Sequence, residues 1–198
     1  MRQMRIAEQN IETRLHEGKD KREPVVVKNM LAQFSAGFKA EAATKNEDKF
    51  AKKDCWITNT KGQRLSFQIK FRELGKNGEI RTDAWFEIAK CLDPWTLGRD
   101  YPGQADFFLH VACNGDGWVY RINDINNFIA PLIPDIRAEL DRDPEVRLIM
   151  SDADYQIRRV QDPSDGHWKV GIYFDPEKFA KAQKIQVYFR FKNLFRHD

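Results

Sequence analysis

The sequence predicts an α/β fold: a mixed central sheet flanked by helices, with a β-rich C-terminal extension. Three observations lead there. Residues 64–72 (RLSFQIKFR) alternate, with Leu65, Phe67, Ile69 and Phe71 on one side and Ser66, Gln68, Lys70 and Arg72 on the other. This period of two marks a strand with one apolar face. Residues 105–113 (ADFFLHVAC) form a near-continuous apolar run, as expected of a central strand. Ahead of both, Ala-rich residues 28–46 carry Met30, Leu31, Phe34 and Phe38 at helical spacing.

In chain order, residues 3–17 read as a weakly amphipathic helix through Met4, Ile6, Ile11 and Leu15, broken by GKDKREP at 18–24. The helix 28–46 follows, then a strand at 54–60 (DCWITNT), a Lys61-Gly62 turn and the alternating strand 64–72. Residues 82–91 (TDAWFEIAKC) suit a short helix capped by Thr82 or Asp83. A long loop, 92–104, holds Pro94, Gly98, Pro102 and Gly103. The apolar strand turns at Asn114–Gly117 into a partner, 118–122 (WVYRI), and Asn123 or Asp124 opens a helix through Ile125, Phe128, Ile129 and Leu132. A short helix at 135–141, strands at 146–150, 155–161, 167–174 and 184–192, and one helical turn at 176–182 complete the chain. The expected organisation is an N-terminal helical extension (1–24), an α/β core (25–144) and the β-rich extension (145–198), which is either separate or part of the same sheet.

At 198 residues, with 41% hydrophobic and 32% charged residues, the composition is that of a globular chain. No apolar run approaches the roughly 20 residues of a membrane-spanning helix, and the first residues lack the apolar core of a signal peptide. Cys55, Cys91 and Cys113 are odd in number and form no C-x-x-C pair. That argues against a disulfide framework and a structural zinc site, and for reduced thiols in a cytoplasmic protein. The four histidines are scattered without ligand spacing, and no G-x-S-x-G, Walker A or G-x-G-x-x-G motif is present. His110, on an apolar strand, reads as a core histidine.

The net charge of +3 hides an uneven distribution. Residues 1–80 hold 17 Lys/Arg against 11 Asp/Glu, residues 81–176 hold 10 against 17, and residues 177–198 hold 6 against 2. A basic first part and a basic tail around an acidic middle suit a polyanion held from two ends; an ordinary solvated surface is the other reading.

Asp54 opens one strand, and Gln68 and Lys70 share the polar face of the next. A carboxylate and a side-chain carbonyl can share a divalent cation through oxygen, and a lysine beside them can position water and steady charge developing on a phosphate. Hydrolysis of a phosphodiester with a metal needs these parts.

Asp54, thirteen intervening residues, then Gln68-Ile69-Lys70 resembles the PD-(D/E)XK nuclease superfamily, especially its Q-x-K members among Mrr-like and Holliday-junction-resolvase-like nucleases. ADFFLHVACNGDGWVYRINDINNFI is similar to the later strand–turn–strand–helix segment of that family. The resemblance covers roughly residues 38–132. It implies a restriction-endonuclease-like fold and a metal-dependent nuclease acting most directly on DNA. It also implies Mg²⁺ or Mn²⁺ held by Asp54 and Gln68, Lys70 acting on the attacking water, and a further Glu from an upstream helix. Glu41 is the first candidate for that Glu and Glu47 the second. Departures from the pattern are Lys53 in place of Pro before Asp54, and the neutral Gln68, which removes one negative charge.

Lys52, Lys53 and Arg72 from the first part, and Tyr188, Arg190 and Lys192 from the tail, are the candidate nucleic-acid contacts; a tyrosine among basic residues suits base stacking and phosphate contact. Two further readings stand beside the nuclease. One is a nucleic-acid-binding or assembly module that keeps the fold without catalysis. The other is an interaction protein whose five Trp and fourteen Phe supply an interface. A homo-oligomer fits a nuclease that cuts two strands with two subunits.

Overall fold

The computed structural model describes residues 22–34, 36–72, 74, 78–90, 96–98, 100–161, 166–182 and 185–195, without the side chains of residues 49 and 50. The expected helix at 3–17 and Cys91 lie outside the described residues.

Helix α1 (Arg22–Gln33) carries Pro24 in its first turn, where amide groups have no intrahelical partner and a proline costs little. It buries Val26, Val27 and Met30. The single helix expected over 28–46 is instead three elements: α1, strand β1 (Lys39–Ala42) and helix α2 (Lys45–Ala51). Two local features divide it. Gly37 takes a φ of 101° and turns the chain. Thr44 and Glu47 form a capping box that starts α2: the Thr44 side chain accepts from the Glu47 N–H and Glu47 accepts from the Thr44 N–H. Phe34 and Phe38 stack across this turn, centroids 4.8 Å apart, rather than along one helix.

Strands β2 (Cys55–Thr58) and β3 (Arg64–Phe71) form the expected hairpin. The helix expected over 82–91 is strand β4 (Ala84–Lys90). Asp83 does not cap a helix; its carboxylate receives Arg72 and Arg81. Phe86 and Ile88 enter the core from one side of β4. A two-residue strand β5 (Thr96–Leu97) follows. Strands β6 (Phe107–Val111) and β7 (Gly117–Arg121) and helix α3 (Ile122–Ile129) lie where the sequence places them. Arg121 occupies the N-cap without a side-chain cap, while Asp124 sits in the first turn. Helix α4 (Ile133–Arg142), strands β8 (Leu148–Ser151), β9 (Tyr155–Gln161) and β10 (Trp168–Phe174), and helix α5 (Pro176–Lys181) follow. The long terminal strand expected over 184–192 shrinks to β11 (Phe189–Phe191), because the chain passes from one core to the other: Ile185 is buried in the first and Phe191 in the second.

Among the described residues, eleven strands make two sheets. The first runs β1-β2-β3-β6-β7-β11 and is mixed, with β3 parallel to β6 and the other neighbours antiparallel. The second runs β5-β4-β10-β9-β8 and is antiparallel. Residues after 145 therefore contribute to both sheets.

One face of the first sheet lies under α1, where Phe67, Ile69, Leu109 and Val111 meet Val26, Val27 and Met30. Its other face joins the second sheet in a core that holds Phe86, Phe108, Tyr120, Ile157, Ile172 and Phe179. Phe86 and Phe108 meet edge to face there, 5.4 Å apart. The polar side of β3 is consequently not a solvated face. Ser66 is 1% and Gln68 2% exposed.

Candidate active site

Register decides which side chains of the β2–β3 hairpin meet. Cys55 pairs with Phe67, and the Asp54 N–H donates to the Phe67 carbonyl at 2.8 Å. Asp54 thus stands opposite Gln68, and cross-strand partners share a face. Strand β3 runs on past the end of β2, and the Ile69 N–H donates to Asp54 Oδ2 at 2.6 Å. The half-buried Asp54 carboxylate is fixed at the open end of the hairpin by that bond.

Gln68 and Lys70 come together on a residue the sequence reading does not single out. Asp100, fully buried, accepts from Gln68 Nε2 at 2.7 Å and from Lys70 Nζ at 2.9 Å, both at Oδ1. Its Oδ2 accepts from the Glu87 N–H at 2.9 Å. The Glu87 carboxylate in turn lies 3.7 Å from Lys169. Lys70 keeps 27% of its side chain exposed while its ammonium sits on a carboxylate that is buried. Gln68 Oε1 is buried without a hydrogen-bond partner. An acceptor stripped of water in this way costs about 1–3 kcal/mol.

Beside Lys70 in the parallel register is His110, 1% exposed. Its Nε2 lies 3.0 Å from the Thr82 carbonyl, which only accepts, so Nε2 carries the proton. Burial holds its pKa down to about 4, which makes it the neutral core histidine expected from the sequence. Ser66 donates to Asp106 Oδ2 at 2.7 Å and so ties β3 to the segment entering β6. Burial pushes the Cys55 thiol well up, with the Asp54 and Glu23 carboxylates adding to the effect; a thiol so held is no nucleophile.

Glu41 is not on a helix. It lies on β1, in register with Trp56 and through it with Ser66. It therefore shares the polar face of β3, but two strand spacings, about 10 Å, from it. Its exposed carboxylate pairs with Arg64 at 3.0 Å. Glu47, the second candidate, caps α2 and accepts from Trp56 Nε1 at 3.1 Å. The Thr44 hydrogen bonds hold its pKa below the usual carboxylate range.

Chain matching adds no relative. Against family models, curated proteins and solved structures, this chain finds no match. Its chemistry is therefore read from its own residues.

Among the described residues, no three His, Cys, Asp or Glu side chains group to hold a metal ion. On the polar face of β3, Gln68 Oε1 is the buried oxygen without a partner, and the Asp54 carboxylate holds the Ile69 N–H at Oδ2. A cation there would rest on one amide oxygen, one carboxylate and water, a set that suits Mg²⁺ or Mn²⁺ and not a thiophilic metal.

The candidate nucleic-acid residues divide by setting. Lys52 takes the left-handed C-cap of α2, and Lys53 lies 4.7 Å over the Trp56 ring. Arg72 is half-buried, pairs with Asp83 and lies 5.2 Å over Tyr173. Arg190 makes two bonds to Glu177, and Lys192 reaches Asp116 at 2.8 Å. Tyr188 packs edge-on against Phe107 and is covered by Arg121 at 4.7 Å. Arg190 and Lys192 are exposed ion pairs that a phosphate can displace at little cost.

The sequence held one signal for Asp100. It sits in the stretch 92–104, which holds two Pro and two Gly and reads from the sequence as a loop longer than a connector needs.

Proposed function

We propose that the chain is a divalent-metal-dependent nuclease that hydrolyses phosphodiester bonds of DNA. The observation that carries this reading is Gln68 Oε1, a buried oxygen with no partner, on the same sheet face as Asp54 and Lys70. The hairpin, the parallel pairing of β3 with β6, and the turn, antiparallel strand and helix after β6 support it; the crossover from β3 to β6 departs from the expected order, because it passes through strands β4 and β5 of the second sheet instead of a helix.

In this reading Asp54 and Gln68 hold Mg²⁺ or Mn²⁺. The ion supplies polarisation of a phosphoryl oxygen and a more acidic bound water. Lys70 orients the attacking water and offsets charge that develops on the phosphate. Asp100 holds the Lys70 ammonium at 2.9 Å, beside the Gln68 carboxamide. Lys53, Arg190 and Lys192 hold the DNA backbone by phosphate contacts. Glu41, on the outer strand and tied to Arg64, takes no direct ligand position.

The test is incubation of linear and branched DNA with Mg²⁺, Mn²⁺ or EDTA. Cleavage should require the metal and fall about 100-fold or more in Asp54→Ala and in Lys70→Ala. Cleavage in EDTA, or full activity of Lys70→Ala, contradicts the mechanism. A second reading, a DNA-binding module without catalysis, is favoured by the small number of ligating side chains and by the neutral Gln68. It predicts salt-sensitive binding and no product in either metal.

A further inference from the structure

We infer that Asp100 is a positioning residue that sets the orientation of the Gln68 carboxamide and makes a neutral residue obligatory at position 68. The inference rests on the proposed metal-dependent reading. A carboxamide has nearly the same shape after a half-turn, so its neighbours decide which end carries oxygen. Here the neighbour is a carboxylate, which only accepts, and it takes Nε2 at 2.7 Å. Asp100 cannot turn away: Oδ2 is held by the Glu87 N–H and Oδ1 also receives Lys70. Gln68 Oε1 must then face away from Asp100, and there it is buried and unpartnered. A glutamate at 68 would set a second carboxylate within hydrogen-bond distance of Asp100, both shielded from water. The negative charge missing at position 68 therefore stands one shell out, on Asp100, where it orients the ligand instead of binding the cation.

The test measures Mn²⁺ affinity, from the free-ion EPR signal, in wild type, Asp100→Asn, Gln68→Glu and the double exchange. In Asp100→Asn the asparagine keeps its oxygen on the Glu87 N–H and turns its amide toward Gln68, which reverses the carboxamide and leaves the Lys70 ammonium to move off that atom. Each single substitution should weaken Mn²⁺ binding about tenfold or more. The double exchange should recover most of the loss, because the amide of the introduced asparagine can then donate to one oxygen of the introduced glutamate and leave the other for the ion. A purely structural role for Asp100 would give no such recovery. Because a single variant can fail to fold, Mg²⁺ is also titrated into wild type labelled at glutamine Cδ. The Gln68 carbonyl resonance should shift on saturation. A wild type that binds Mn²⁺ while Asp100→Asn binds equally well, or a double exchange no better than the singles, overturns the inference alone; an unmoved Gln68 resonance overturns it together with the assignment of Gln68 as a metal ligand. A wild type that binds neither ion overturns it together with the metal-dependent reading.

Discussion

His110 stands in register with Lys70 on one neighbouring strand and Trp118 on the other. Its burial gives the protein a specific response to acid. An unfolded histidine binds a proton below about pH 6.5, whereas the folded one refuses it down to about 4. Between those values the unfolded state holds more protons, so stability falls as pH drops through the window, by about 3 kcal/mol in all. Denaturant titrations at pH 7, 5.5 and 4.5 should show that loss in wild type and a flatter profile in His110→Phe; parallel profiles would contradict it. Gly171 carries a second expectation. A methyl group there would lie 2.3–2.5 Å from three ring atoms of Trp85, whose ring is also packed on Tyr173. Gly171→Ala should cost about 1–3 kcal/mol by urea unfolding. Among single residues, the pairing of Gln68 with Lys70 was legible, because residues two apart on a strand share a face. That Asp54 stands opposite Gln68 is set by the strand register of the structure, which the sequence alone leaves open. Asp100 was not legible as their partner: a loop residue has no period, and only the tertiary fold brings it 32 positions back to Gln68.

Elements were legible where pattern and environment agreed. The apolar run at 105–113 became β6, which is buried on both faces, and the alternation of 64–72 marked β3 as a strand but not the burial of its polar side, where Ser66 and Gln68 are covered. Two helical readings failed for different physical reasons. In 28–46 the helical spacing of Met30, Phe34 and Phe38 was real, but Gly37 and the Thr44 capping box interrupt it, and both signals were present in the sequence. In 82–91 the Ala, Glu and Lys of a helix former were overridden by pairing with β10, where Trp85 faces Tyr173 and Phe86 faces Ile172. The capping box gives the test for an element. Thr44→Ala should destabilise the protein by about 1 kcal/mol, and Thr44→Ser should restore most of it. Equal stability of Thr44→Ala and wild type, measured by thermal unfolding, would show that packing alone sets the start of α2.

The whole molecule is joined by the core between its two sheets. Phe86 and Phe108 come from different sheets and are each fully buried. Phe108→Ala should therefore cost about 3–5 kcal/mol, with circular dichroism and tryptophan fluorescence reporting one coincident transition. Separate transitions would mean that the sheets unfold independently. The uneven charge also takes a shape in the folded chain. The basic first part supplies β1, β2 and β3, and the basic tail supplies β11 of the same sheet, while β6 and β7 between them and all five strands of the second sheet come from the acidic middle. The sequence separated these charges but did not bring the two basic ends into one sheet; strand pairing does. Whether Gln68 and Asp54 hold a cation is read most simply from an anomalous difference map of crystals grown with Mn²⁺. A peak is expected about 2.1–2.2 Å from Gln68 Oε1 and within ligand distance of the Asp54 carboxylate. A map with no peak there, or with Gln68 Oε1 bonded to a water alone, would refute the metal site.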